Sequence, residues 1–189
     1  DDTNGEFFLN DLKTAGVDCN YQSHGDQGAT GKCLVMISED AERSMNTHLG
    51  ISESLSVEQV NAEAIAQSEY VYLEGYLVTS ETGRAAAIEA RKIAEQAGVK
   101  TAISLSDPGM VEFFKDGLQA MIGDRVNLVF CNEAEAKGWA NTSDLDTAIE
   151  SLKNIADTFA ITLGSKGALV FDGSRLETIA AHAVHALDT

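Results

Sequence analysis

Positive charge and cysteine are both scarce in this sequence, and each scarcity excludes a class of protein. The 189 residues include 13 Lys and Arg against 30 Asp and Glu, a net charge of -17 that repels a phosphate backbone. We therefore expect no nucleic-acid partner. The three cysteines, Cys19, Cys33 and Cys131, are odd in number and match no zinc spacing, which predicts reduced thiols in a cytoplasmic protein.

Long apolar runs are missing as well. No run of about eighteen apolar residues and no charged-then-apolar leader is present, so we expect no membrane segment. Apolar residues are instead 44% of the composition, which is sufficient for one sizeable core. The chain opens directly on a helix start and stops just after an apolar stretch at Ala186–Thr189. We expect it to be a fragment of a longer chain.

Strand-like and helix-like segments alternate between Tyr70 and Leu163. We predict strands at residues 70–73, 101–105, 127–131 and 159–163, and helices at 81–97, 111–122, 133–139 and 144–156. We expect the strand at 70–73 to be buried. The alternation is typical of right-handed crossovers onto a parallel sheet covered on both faces. The predicted fold class is therefore an open, mostly parallel α/β sandwich.

The first third of the chain differs from this pattern. Thr3 and Glu6 have the spacing of a capping box, and Gly16 would close the helix they begin. Phe7, Phe8 and Leu12 would form its core face. A β-hairpin is predicted from residues 32–38 and 43–48, joined by an acidic turn, and a further helix is predicted at 56–66.

The segment Phe159–Phe171 reads as a strand, a polar turn at residues 164–167 and a second strand. Gly164 and Gly167 would let a ligand approach the backbone, and Ser165 with neighbouring amides offers donors to an anionic oxygen. A turn of this kind suits nucleotide phosphates. It also suits an ordinary hairpin, and local sequence does not decide between the two interpretations.

Polar residues follow the predicted strands, where ligands of such sheets bind. Asn132 and Glu135 have the spacing of a helix cap, which is the simpler interpretation. As an amide and a carboxylate they could also orient a hydrated Mg²⁺, and both roles are compatible. Glu74 interrupts an apolar run, so it either pairs with a cation or contacts substrate hydroxyls. Asp107 is a turn former. Arg43 has a solvated ion pair as its default interpretation, with a substrate or phosphate contact as the alternative.

Other motifs are rejected. Residues 28–33 resemble the end of a P-loop, but Asp26 replaces the first glycine and Cys33 replaces the metal-binding hydroxyl residue. No histidine has metal or triad spacing. A dehydrogenase is disfavoured because no G-x-G-x-x-G follows a predicted strand.

Several short segments, in order, resemble the ribokinase-type (PfkB) carbohydrate kinases, and among them sugar kinases similar to bacterial adenosine kinases. The combination of N-x-x-E with T-L-G-x-x-G is the specific part. The segments are Asp2-Thr3-Asn4-Gly5, Gly16-Val17-Asp18, Thr30-Gly31, Tyr72-Leu73-Glu74-Gly75, Ser106-Asp107-Pro108, residues 130–136 (FCNEAEA) and residues 161–168 (ITLGSKGA).

The resemblance implies a ribokinase-like three-layer sandwich with a small β lid, and ATP-dependent phosphoryl transfer to a hydroxymethyl group of a sugar or nucleoside. Lid closure would exclude water from the transferred group. Residues 17–49 would supply part of the lid within a partial domain that spans 1–189. Lid strands could also pair between two copies as a homodimer.

The resemblance also implies roles for single residues. Thr162, Gly164, Ser165, Lys166 and Gly167 would line the nucleotide. Asn132 would contact ATP, and Glu135 would act through Mg²⁺ and its water shell. Glu74 would touch the sugar. Asp188 would help to bind a monovalent cation such as K⁺.

The family's phosphate-binding Gly-Ala-Gly segment and its general base, an aspartate, would follow Thr189, so no catalytic base is expected within these residues. The glycine-rich sugar motif expected upstream is missing too. We therefore expect the chain alone to show no turnover. The alternative is a nonenzymatic nucleotide- or sugar-binding module on the same fold.

Overall fold

The structure, a computed structural model, describes residues 2–19, 28–38 and 43–184. The chain divides into two compact units. The hairpin unit consists of Asp1–Leu55 with His185–Thr189, and the sheet unit consists of Ser56–Val184. No helix in the described ranges has the length and apolar character needed to cross a membrane.

The hairpin unit begins with helix α1, Thr3–Thr14. Its N-cap is Asp2, whose carboxylate accepts hydrogen bonds from the Gly5 amide at 2.9 Å and from the Thr30 amide and hydroxyl. The predicted capping box at Thr3 and Glu6 is therefore wrong, because Asp2 stands one residue earlier and is also tied to Thr30. These bonds, that from the Thr30 hydroxyl first, hold the pKa of Asp2 far below its usual range.

The apolar face of α1 is not part of a core. Phe7 is 73% exposed, Phe8 is 59% exposed, and Leu12 is only half-buried. The predicted core face is wrong, because no residue of α1 is buried against a neighbouring element. Gly16 follows the helix with a φ of +79°, as its predicted closing role requires.

A two-stranded antiparallel hairpin completes this unit, as predicted. Strands β1, Lys32–Ile37, and β2, Arg43–His48, place Lys32 opposite His48 and Ile37 opposite Arg43. The predicted acidic turn at 39–42 lies outside the described residues. Every residue of both strands is exposed, including several that are apolar: Leu34, Val35, Met36, Ile37 and Met45.

The sheet unit contains six strands that lie side by side in chain order. The first four pair in parallel and the last two are antiparallel. The predicted class, an α/β fold with a mostly parallel sheet, is confirmed. The last strand was not predicted. The strands are β3 Tyr70–Glu74, β4 Lys100–Ser104, β5 Val126–Asn132, β6 Ala156–Thr162, β7 Ala168–Phe171 and β8 Leu176–Ile179.

The helices of the sheet unit follow strong local signals. Ser80 caps α3 and Gly98 ends it, whereas Pro108 occupies the first turn of α4. The helix predicted at 56–66 is wrong: Ser56 caps a single 3₁₀ turn, and Asn61 caps a new, short helix. The helices are α2 Ala62–Ala66, α3 Glu81–Ala97, α4 Pro108–Ile122, α5 Glu133–Ala140 and α6 Leu145–Lys153.

Side chains alternate between a buried and a more exposed row across the sheet. The buried row lies at one register level and consists of Leu73, Ile103, Val129 and Phe159. On the opposite face of the sheet Tyr72 is 53% and Phe130 is 41% exposed, and their rings lie 6.4 Å apart. The prediction that the first strand is buried is wrong, because β3 is the edge strand of the sheet.

Candidate functional site

The carboxyl ends of β3, β4, β5 and β6 lie at one edge of the sheet, which we call the rim. Glu74 pairs in register with Ser104, and Asn132 pairs with Thr162. The loop at Gly164 directly follows β6. The structure thus brings the four polar strand ends to the same edge, as the sequence predicts.

Asn132 and Glu135 form a complete capping box at the start of α5. The Glu135 amide donates to Asn132 Oδ1 at 2.8 Å. The Asn132 amide donates to Glu135 Oε2 at 2.9 Å, and Asn132 Nδ2 donates to Glu135 Oε1 at 2.7 Å. The capping interpretation is confirmed, and it fixes the carboxylate of Glu135 at the rim.

The environment of Glu135 favours a neighbouring cation. The residue is only 5% exposed, and burial raises its pKa above the ordinary value. The negative charges of Asp107 and Glu74 raise the pKa further, while the hydrogen bond from the Asn132 amide opposes them. A divalent cation near this carboxylate would offset the repulsion.

The described residues of the rim do not provide several protein groups that could coordinate a metal ion directly. Among the described residues no three His, Cys, Asp or Glu side chains are arranged to hold a metal ion. Both oxygens of Glu135 already accept hydrogen bonds, which leaves their second lone pairs. The residues therefore fit Mg²⁺ that keeps most of its water and is held largely by phosphate oxygens.

The glycine loop after β6 is a single 3₁₀ turn, Gly164–Lys166, ended by Gly167. The amides of Lys166 and Gly167 donate within the turn, to Leu163 O at 3.2 Å and to Gly164 O at 3.0 Å. Those two amides are occupied. The amides of Gly164 and Ser165, at the start of the turn, are the ones suited to a bound anion.

The two glycines of this loop have different physical roles. Gly164 has a φ of +58°, and no atom lies within 4 Å of the position a Cβ would take. Gly167 has a φ of +97°, and a Cβ there would lie 1.9 Å from the Ile179 carbonyl oxygen. Gly167 is therefore required by packing against the end of β8, whereas Gly164 borders open space that a ligand could occupy.

Lys166 supplies positive charge beside the start of α5. Its charge contributes to the lowered pKa of Glu133, after the larger effect of Lys137, whose Nζ lies 2.6 Å from Glu133 Oε1. Lys166 is exposed and forms no ion pair with another described residue. Within a chain of strong net negative charge, such a cation is available for an anionic ligand.

At the other end of the rim, Glu74 is half-buried and held by hydroxyl groups. Ser106 Oγ donates to Glu74 Oε1, and Tyr72 Oη donates to Glu74 Oε2 at 3.0 Å. Burial, and then the hydrogen bond to Glu74, raise the pKa of Tyr72 and keep its hydroxyl protonated. No cation among the described residues pairs with Glu74, so the ion-pair alternative has no support.

The remaining predicted residues lie in different settings. Asp107 caps α4 by accepting from the Gly109 amide at 2.7 Å, which confirms its turn-forming role. Thr162 is exposed at the end of β6. Arg43 is exposed in β2 of the hairpin unit, and its acidic turn neighbours are not described. Asp188 also lies outside the described residues.

Sequence reasoning missed the partners of Glu74. Tyr72 precedes Glu74 by two residues on the same strand, so the two side chains share a sheet face. Ser104 pairs in register with Glu74, and its Oγ accepts a hydrogen bond from the Ser106 amide at 3.0 Å. The two-residue period of the strand indicates that Tyr72 lies on the same face as Glu74. The position of Ser104 beside Glu74 depends on the register between β3 and β4, which the sequence does not show. Elsewhere in the sheet, on β5, burial and then the charge of Glu135 raise the pKa of the Cys131 thiol.

The family assignment follows from comparison with known proteins. The model of the family described as "pfkB family carbohydrate kinase" matches residues 1–189. The chain belongs to the pfkB family. The resemblance inferred from the N-x-x-E and T-L-G-x-x-G segments is confirmed, and so is the ribokinase-like fold class.

Relatives of this pfkB-family chain include nucleoside and sugar kinases. An adenosine kinase from Schizophyllum commune is 32% identical over 121 residues, which are 60% of this chain and 33% of the relative. The crystal structure of adenosine kinase from Sinorhizobium meliloti is 34% identical, with a TM-score of 0.92. A probable sugar kinase from Rhizobium etli CFN 42 is 30% identical, with a TM-score of 0.89. Both structures match 100% of this chain, which spans 58% of their length.

Proposed function

We propose that this pfkB-family chain is part of a longer ATP-dependent kinase that transfers the γ-phosphoryl group to a hydroxymethyl group of a sugar or nucleoside. The observation that carries the proposal is the arrangement of the rim. Asn132 and Thr162 are paired in register, so the α5 start and the Gly164 loop border the same edge that carries Glu74. One nucleotide and one hydroxyl-bearing acceptor can therefore be placed side by side there.

The nucleotide end of the rim comprises Asn132, Glu135 and residues 162–167. The amides of Gly164 and Ser165 and the charge of Lys166 would bind phosphate oxygens, and Gly164 leaves the space for them. Bound Mg²⁺ would neutralise charge on the phosphates. Glu135 would orient that ion through water, and the ion in turn would offset the burial, and then the repulsion from Asp107 and Glu74, that raise the pKa of Glu135.

The acceptor end of the rim is Glu74. A half-buried carboxylate held at both oxygens still has lone pairs for sugar hydroxyls, which donate hydrogen bonds well to charged acceptors. Its fixed orientation would place the acceptor hydroxyl relative to the phosphoryl group. Positioning of this kind supplies much of the rate in phosphoryl transfer.

The hairpin unit is proposed to belong to a lid, supplied in part by residues 17–49. The exposed apolar residues of β1 and β2 suit a surface that covers a substrate or pairs with a second copy as a homodimer. Arg43 remains proposed as a contact to substrate, and Asp188 as a ligand of a monovalent cation. The acidic composition and reduced thiols support a cytoplasmic location without nucleic-acid or membrane partners.

The test is a substrate screen with the full-length protein. ATP, Mg²⁺ and a panel of nucleosides and free sugars should give saturable, acceptor-dependent ADP release. Mass spectrometry should find one added phosphate on a hydroxymethyl oxygen. Binding of ATP and acceptor without any transfer would refute the kinase proposal in favour of a binding module.

A second arm uses residues 1–189 alone. We expect no turnover from them, because none of the described residues matches the aspartate that acts as general base in the kinases that the sequence resembles. Saturable ATP-dependent phosphorylation by this chain would contradict that expectation, while leaving the activity of the full-length protein intact.

A further inference from the structure

The turn after β4 has an unusual backbone at Ser106. Its φ is +70°, and in the described ranges only Ser106 and Asn141 combine a positive φ with a side chain. The Asp107 amide donates to the Leu105 carbonyl at 2.8 Å, so Ser106 is the centre of a three-residue γ-turn. With a positive φ this is the rare and strained form of that turn. Asn141 ends α5, where asparagine is common, but Ser106 has no such capping role.

The strained turn directs both polar groups of Ser106 toward Glu74 and its neighbours. The Ser106 amide donates to Ser104 Oγ at 3.0 Å, and the Ser106 hydroxyl donates to Glu74 Oε1. Tyr72 Oη donates to the other oxygen, Glu74 Oε2, at 3.0 Å. Each oxygen of the carboxylate is therefore held by a different hydroxyl group.

The backbone next to Glu74 is packed directly against this turn. A Cβ at Gly75 would lie 2.5 Å from the Ser104 carbonyl oxygen and 2.7 Å from Ser106 Oγ. Because Gly75 has no side chain, the backbone that follows β3 lies directly against the Ser106 hydroxyl. Strain of this kind persists only where the surroundings over-determine it, and it is concentrated at functional sites.

We propose that Ser106 is a positioning residue, which holds the Glu74 carboxylate in the orientation that receives the hydroxyls of the acceptor. This inference rests on the proposed function, because Glu74 has an acceptor to bind only if the protein is a kinase of this type. Ser106 itself acts through Glu74. Loss of Ser106 should weaken binding of the acceptor and leave the nucleotide end of the rim unaffected.

The experiment compares Ser106→Ala with Ser106→Gly in the full-length protein. Both remove the hydroxyl, but glycine also removes the backbone strain. We expect both variants to raise KM for the acceptor about 10-fold to 100-fold, with KM for ATP within about twofold of wild type. The glycine variant should melt a few degrees above the alanine variant. Ser68→Ala, which loses an exposed hydroxyl bonded to the Ala64 carbonyl, is the matched control and should leave both KM values unchanged.

Each alternative outcome overturns a definite statement. If wild type phosphorylates an acceptor and both Ser106 variants keep its acceptor KM, the positioning role is wrong and the kinase proposal stands. If KM for ATP rises as much as KM for the acceptor, Ser106 only supports the fold and the inference is wrong. If wild type transfers phosphate to no acceptor, the proposed function fails and this inference fails with it.

Discussion

The nucleotide end and the acceptor end of the rim are built in different ways. The loop at Gly164–Gly167 depends on main-chain shape: two glycines at positive φ, one beside open space and one against the Ile179 carbonyl. The Glu74 end depends on side chains, because each carboxylate oxygen is held by a hydroxyl. Changes to backbone freedom should therefore damage the first end, and removal of single polar atoms should damage the second.

The largest expected effect is on folding, from Gly167→Ala. A Cβ would lie 1.9 Å from the Ile179 carbonyl oxygen, and φ is +97°, so β7 and β8 must shift. We expect a loss of about 3 kcal/mol in the free energy of unfolding, measured by urea denaturation. Gly98→Ala is the matched control: φ is +72° with no atom within 4 Å, so about 1 kcal/mol should be lost. Equal losses would show that β8 does not constrain the loop.

The next effect should appear at the acceptor end, from Glu74→Gln. The amide keeps the size of the side chain but loses the charge, and hydrogen bonds to charged groups contribute about 1.5–3 kcal/mol. Acceptor KM should rise about 10-fold to 100-fold while KM for ATP stays near wild type. The exposed Glu58→Gln serves as the control. An unchanged acceptor KM would remove Glu74 from the proposed site.

A smaller effect is expected at the nucleotide end, from Gly164→Val. The side chain would enter the open space where the phosphates are proposed to approach the backbone, so ATP should bind about tenfold more weakly by calorimetric titration. Gly98→Val places the same side chain at a similar φ at the end of α3, away from the rim, and should bind ATP normally. Equal ATP affinity in the two variants would contradict the phosphate assignment.

The smallest effect concerns the charge of Glu135. Its folded-state pKa is raised, chiefly by burial, so its contribution to stability is present below the ordinary value of 4.5 and is lost as the pH rises through the folded pKa. Glu135→Gln keeps the capping box, since glutamine also serves at that position, and should lack this part of the pH dependence.

The difference between wild type and Glu135→Gln is expected to stay below about 1 kcal/mol in denaturation curves taken from about pH 4 to about pH 8. Addition of Mg²⁺ and nucleotide should lower the pKa of Glu135 and bring the two curves together. Parallel curves at every pH would show that the pKa of Glu135 is not raised in the folded protein.

The sequence was most informative where local signals and long-range packing agree. Ser80 and Gly98 set the two ends of α3 through local interactions alone. The run of parallel strands could be predicted from the alternation of strand-like and helix-like segments. The end of the sheet could not, because Leu176–Ile179 is exposed and too short to show a period. The prediction that Phe7 and Phe8 form a core face was wrong for a related reason. An apolar helix face indicates that the helix can pack against another element, but it does not show that such an element is present.

The candidate site was predictable in its positions and less so in its contacts. Asn132 and Glu135 are close in sequence, so their box could be read directly. The network of Glu74 joins β3 to the turn after β4, and it depends on register and on the unusual φ of Ser106. The sequence does not indicate the rare backbone conformation of Ser106, because serine is an ordinary residue in any turn.

The thiols of this molecule differ in their exposure, and this difference is useful for labelling. Cys33 is exposed on the hairpin, whereas Cys131 is buried beside Glu135 with a raised pKa and so remains an unreactive thiol. A maleimide dye should therefore attach to the exposed Cys33 and to the partly exposed Cys19, both in the hairpin unit, and spare the interior of the sheet unit. The sequence thus carries its own attachment points for a fluorescent reporter, with no engineered cysteine required.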